Sequence, residues 1–131
     1  MSSTETFAQI CKDLCERQDW ELLPSGVNVA NRDGRHQMVF LDFFDYRGDE
    51  FVRLRSTIGS AIDLGHKRMA HALSDNADLA HGALAISGDE LCMVETLMLE
   101  DADPGELEAA IEFLAERADH YEHVLFGTNE Y

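Results

Sequence analysis

The sequence predicts an α+β fold in αβββαββα order: an antiparallel five-stranded sheet packed with three helices. Three observations carry that prediction. A cap signal near the C-terminus opens a long stripe of helical period, from Asp103 to Leu125. Two apolar runs, Ala83 to Ile86 and Leu91 to Leu99, flank a Gly-containing turn just before it. Upstream, residues between Val27 and Ile58 alternate in the manner of strands and are interrupted by turn residues. The 131 residues read as a single domain spanning 1–131, and 45% hydrophobic content supports a real core.

Taken in order, Met1 to Thr4 is a polar lead-in with Ser3 or Thr4 as helix cap. Phe7, Ile10, Cys11 and Leu14 then form a helical stripe edged by Cys15, and the helix ends near Trp20. Pro24-Ser25-Gly26 breaks the chain. Val27 to Ala30 is a short strand before the turn Asn31-Arg32-Asp33-Gly34. Gln37 to Tyr46 is apolar on both sides, with Met38, Phe40, Phe44 and Tyr46 pointing one way and Val39, Leu41 and Phe43 the other. A strand of that kind expects cover on both faces.

Arg47-Gly48-Asp49-Glu50 is a hairpin turn and not an adhesion motif. After it, Phe51 to Ile58 alternates again, Val52, Leu54 and Ile58 against Phe51, Arg53, Arg55 and Thr57, with one wetter face. Gly59 to Gly65 connects to a helix over His66 to Ala77, with Met69, Ala70 and Leu73 expected inward. In the last strand Leu91, Met93, Leu97 and Leu99 oppose Cys92, Val94 and Met98. The final helix has the firmest start: Asp103 as cap, Pro104 in the first helical position and Glu106 three residues after the cap. Leu107, Ala110, Ile111, Leu114, Ala118, Tyr121 and Leu125 then share one stripe, and Gly127 stands as terminator.

Ten Lys and Arg against 26 Asp and Glu give a formal charge of −16, which repels phosphates and argues against nucleic acid or an anionic membrane as partner. Cys11, Cys15 and Cys92 are odd in number and form no CxxC pair. With no basic and apolar leader at the N-terminus, they imply a reducing, cytoplasmic setting. Cys11 and Cys15, one helical turn apart, are poorly placed for a disulfide and read as buried or half-buried thiols. No phosphate-binding glycine loop, GxSxG, HExxH or EF-hand spacing occurs, so no catalytic residue, metal ligand or cofactor is expected. His120 and His123 stand i, i+3 beside Asp119 and Glu122 and could touch one metal ion, but cationic side chains suit a helix C-terminus without one.

Gly82-Ala83-Leu84-Ala85-Ile86, Asp89-Glu90-Leu91, Thr96-Leu97-Met98-Leu99, Arg53 to Gly59 and the Leu107 to Tyr121 helix with Ala118-Asp119 together resemble the type III secretion chaperone-like superfamily. Within it, YbjN-like proteins are the nearest in pattern. The resemblance covers nearly the whole chain and implies a homodimeric, non-enzymatic, cytoplasmic protein that holds an apolar peptide segment of a protein partner, such as a secreted effector. The residues argue in the same direction, since apolar side chains on both faces of two strands exceed what three helices can cover. Candidate partner contacts are Trp20, Phe43, Phe44, Val52 and Leu54. The alternative reading is a regulatory protein that responds to a metal or small ligand through its histidines.

Overall fold

The computed structural model describes residues 3–31 and 34–126. Its elements are α1 (Ser3–Gln18), β1 (Glu21–Leu23), β2 (Gly26–Ala30), β3 (His36–Tyr46), β4 (Asp49–Ser60), α2 (His66–Asp75), β5 (Ala83–Ser87), β6 (Glu90–Met98) and α3 (Pro104–Phe126), with a 3-10 turn at Leu99–Asp101. All strands join one antiparallel sheet ordered β1-β2-β3-β4-β6-β5. The sheet therefore has six strands where the sequence predicts five. The addition is β1, whose three residues are too few to show a period of two. Pro24, which reads as a break, lies in the turn that pairs Leu23 with Gly26. Arg32, Asp33 and Gly127, expected as turn residues and terminator, fall outside the described residues.

The start of α3 is as the sequence predicts. Asp103 Oδ1 accepts the N–H groups of Gly105 at 2.8 Å and Glu106 at 3.1 Å, satisfying two donors that the helix itself leaves unpaired. Its whole predicted stripe is buried, joined by Ala115. The cap expected for α1 is different: Ser3 and Thr4 lie inside the helix, and the Thr4 hydroxyl donates to Glu50 at 2.9 Å, tying α1 to the start of β4. At the β3–β4 hairpin Arg47 (φ 52°) and Gly48 (φ 89°) both take positive φ, which matches the right-handed twist of the strands.

Strand register decides which side chains share a face. Leu41 pairs with Leu54, Phe43 with Val52 and Val52 with Leu97, so these lie on one face with Val39, Met93 and, in β2, Val27. Phe40 pairs with Arg55, Phe44 with Phe51 and Phe51 with Met98, on the other face. The helix α3 crosses the first face over β3, β4 and β6, and α1 lies beside it with Phe7, Cys11, Leu14 and Cys15 buried. Val27, Val39, Val52, Leu54, Met93, Leu107, Ile111 and Leu114 are fully enclosed there. Each such side chain contributes roughly 1.5–3 kcal/mol through removal from water. Gln37 and Ser56, buried within this layer, satisfy each other: Gln37 Nε2 donates to Ser56 Oγ at 3.0 Å and to Thr57 O at 2.8 Å, and Ser56 Oγ donates to Met38 O at 2.9 Å.

The orientation of α2 departs from expectation. Its buried residue is Ala72, whereas Leu73 is 60% exposed and Ala70 is exposed. The sequence marks the apolar residues of a helix but not the surface it rests on, and here the helix is held by polar contacts. Arg68 Nη1 donates to Leu125 O at 2.7 Å, and Tyr121 OH donates to Asp75 at 3.0 Å. Beyond the helix, Asn76 donates to Leu84 O and accepts Leu84 N–H, at 3.1 and 2.7 Å. Asn76 thus occupies the outer backbone groups of edge strand β5 at Leu84, as a neighbouring strand would.

All three cysteines are free and buried, as thiols in a packed interior. Burial, reinforced by Cys15, pushes the Cys11 thiol from 9.0 up to about 12, and burial raises Cys15 and Cys92 as well. A raised folded pKa means that the unfolded chain ionises first. For Cys11 the stabilisation is complete below pH 9 and is lost as pH rises from 9 towards 12, by roughly 1.4 kcal/mol per pH unit. The urea midpoint should accordingly fall between pH 8 and pH 10.5, and Cys11→Ala should flatten that fall; an unchanged slope in the variant would remove Cys11 as its source.

Candidate protein-binding surfaces

The face of the sheet opposite α1 and α3 carries no helix among the described residues. Register arranges it in rows: Phe40, Arg55 and Val94; then Asp42, Arg53 and Thr96; then Phe44, Phe51 and Met98. Phe44 and Phe51 stack at 5.5 Å with 16° between their planes, and Tyr46 meets Phe51 edge-on at 6.3 Å. The guanidinium carbon of Arg55 lies 4.6 Å from the centre of the Phe40 ring, that of Arg53 4.6 Å from Phe44 and that of Arg47 5.3 Å from Tyr46. Stacked arginines shield aromatic surface while keeping their charge towards water. Arg55 Nε pairs with Asp42 at 3.2 Å, and Arg53 Nε donates to Thr96 Oγ1 at 3.2 Å. Phe44, Arg53, Arg55, Val94 and Thr96 line a shallow hollow of about 540 Å³ on this face.

A second apolar surface lies at the β5 edge. Ile62 (74% exposed), Leu73 (60%) and Ile86 (54%) stand around half-buried Met69. Two adjoining hollows of about 480 and 200 Å³ share Met69 and Leu73, the smaller reaching Leu84 and Leu91.

The five contacts expected from sequence do not make one surface. Val52 and Leu54 are fully buried beneath the helices and offer a partner nothing in this fold. Their alternation gives their face correctly, but α1 and α3 cover that face. Phe43 shares it at the rim, 53% exposed, with its ring edge-on to Phe7 at 5.8 Å. Its neighbour Phe44 points to the opposite, open face. Trp20 is half-buried beside a cleft of about 550 Å³ lined also by Val29, Asn31, Glu112, Glu116 and Asp119. Phe40, Phe51, Arg53 and Arg55 escape sequence reading as a group because only strand register assembles them.

The histidines are dispersed. His71 lies 3.7 Å from Asp75, and His81 3.9 Å from Glu95 with its ring against Phe113. Burial, aided by Arg117 and His123, lowers the His120 pKa, while burial and the charge of Asp119 raise that of Glu122. Among the described residues no group of three or more His, Cys, Asp or Glu side chains gathers into a metal site. No helix among them is long and apolar enough to cross a membrane.

No family model matches the sequence, and no curated protein is significantly similar to it. Solved structures are similar in fold. A chain of the ExsC–ExsE complex superposes with a TM-score of 0.66 at 13% identity, covering 95% of this chain and 97% of that one. A chain of the HopA1–SchA chaperone–effector complex gives 0.60 at 10% identity, covering 89% and 93%. The fold is thus type III secretion chaperone-like, as the resemblance implies.

Proposed function

We propose that this chain is a non-enzymatic, cytoplasmic, homodimeric binding module that holds an apolar segment of a protein partner on its open sheet face. The observation that carries the reading is the one-sided helix layer: half-buried Phe40, Phe44, Phe51, Val94 and Met98 form an apolar field that no helix among the described residues covers. Uncovered fields of this kind mark protein-binding sites. The two solved structures named above are complexes, one of them of a chaperone with its effector, which supports a protein partner. The groove mode of burial suits this face better than strand addition at β5, where Asn76 already occupies the backbone of Leu84. Self-association falls to the second surface, around Ile62, Leu73 and Ile86, which borders the open-face hollow at Ile86 and leaves Phe40, Phe44 and Phe51 free in each protomer.

Phage-displayed 15-residue peptides selected on the immobilised protein should converge on apolar sequences. Phe44→Asp, checked for native circular dichroism, should weaken the selected peptides at least about tenfold, since it places a charge in the centre of the field. A selection without convergence, or peptides that bind Phe44→Asp unchanged, would overturn the reading.

A further inference from the structure

We infer that the segment held on the open face carries an aspartate or glutamate within its apolar run and that Arg53 receives it; this rests on the binding reading above. The chain holds ten basic residues against 26 acidic ones, yet the middle of its uncovered apolar field carries two arginines and one aspartate. Asp42 is engaged by Arg55 at 3.2 Å. Arg53 instead faces the Thr96 hydroxyl and the ring of Phe44, neither of which neutralises it, and among the described residues it meets no carboxylate. Asp42 stands opposite Arg53 in the register but gives its bond to Arg55, so water completes the solvation of the Arg53 guanidinium while the face is open.

Covering the face removes that water. A wholly apolar segment laid across Arg53 would leave a desolvated, unpaired guanidinium, an arrangement that costs several kcal/mol. A carboxylate in the segment meets the planar fork of the guanidinium with two parallel hydrogen bonds and replaces the lost solvation. A lysine or arginine there would add repulsion to the same penalty, so a basic residue is excluded at that position.

The rows on either side fix the surroundings of that acid. Along β4, Phe51 and Arg55 stand two residues before and after Arg53, and each row is completed by apolar groups: Phe44 and Met98 beside Phe51, Phe40 and Val94 beside Arg55. An extended segment running along β4 presents every second side chain to the sheet. The fitting pattern is therefore an acid with apolar residues two positions to each side.

The test repeats the peptide selection on the wild-type protein and on Arg53→Met, which keeps the apolar stem and deletes the charge. Wild-type selections should yield that pattern, and the selected peptides should bind Arg53→Met at least about tenfold more weakly, the range of a charge-assisted hydrogen bond shielded from water. Replacing the peptide acid by its amide should cost the same on the wild type and nothing further on Arg53→Met. If Arg53→Met does not fold, Arg53→Lys serves: it keeps a charge without the fork and should lose part of the affinity. Apolar peptides that lack an acid, or bind Arg53→Met unchanged, overturn the inference and leave the binding reading intact. Failure to select any apolar peptide overturns both. Loss of self-association in Phe44→Asp would show that a second copy covers the face, which also overturns the inference.

Discussion

Gly26→Ala is expected to lower the unfolding free energy by about 3–5 kcal/mol, a large share of the roughly 5–15 kcal/mol available to a chain of this size. Gly26 opens β2 and is paired on both sides, to Leu23 in β1 and to Phe40 in β3. A Cβ at this position would stand 2.2 Å from the carbonyl oxygen of Val39 and 2.8 Å from Cα of Phe40. Both are backbone atoms of a strand held on its other side by β4, so no rotamer change relieves the overlap. The chain is also anchored just before it, where Leu41 N–H donates to Ser25 O at 3.0 Å. Either β2 lifts off β3 or β3 bends away from the helices, and both open the packing of Val27 and Val39. Gly48→Ala is the matching control: its φ of +89° strains any larger residue, but no atom lies within 4 Å of the added methyl, so about 1–2 kcal/mol is expected. Urea titrations of the two variants separate overlap from dihedral strain. A loss below about 1 kcal/mol for Gly26→Ala would mean that the β1–β2 hairpin yields freely and that β1 contributes little to the sheet.

Legibility in the sequence follows how local each determinant is. The helix α3 is specified within its own residues, by the Asp103 cap and the stripe from Leu107 to Leu125, and it folds as read. Strand faces are nearly as local, because alternation assigns Val52 and Leu54 to one side and Arg53 and Arg55 to the other whatever the partner strand. What alternation leaves open is which side receives the helices. That choice depends on long-range packing, and it places Val52 and Leu54 in the core while their neighbours Arg53 and Arg55 line the open face. The adjacent rings of Phe43 and Phe44 are equivalent in the sequence and lie on opposite sides of the sheet. The rotation of α2 is non-local for the same reason: hydrogen bonds from Arg68 to Leu125 and from Tyr121 to Asp75 set it, and its own periodicity does not.

That rotation underlies the second large effect: Leu73→Glu should convert the proposed homodimer into a monomer of 14.7 kDa, read by light scattering across a concentration range. Leu73 is 60% exposed in the single chain and sits amid Ile62, Met69 and Ile86, so the substitution touches the surface and not the core. Folding stability should change by no more than about 0.5 kcal/mol. In a two-fold dimer each substitution acts twice. Loss of two buried leucine side chains, at roughly 1.5–3 kcal/mol each, together with two carboxylates taken from water, exceeds 3 kcal/mol and weakens association more than about a hundredfold. Charge sharpens the test, because protomers of −16 each repel one another and only apolar burial opposes that repulsion. Added salt should therefore strengthen the wild-type dimer by screening, and it should not rescue Leu73→Glu at the same concentrations. A wild-type chain that stays monomeric at every concentration and salt would remove self-association from the proposal. A Leu73→Glu variant that remains dimeric would move the interface away from α2, and the open sheet face would be the next surface to test.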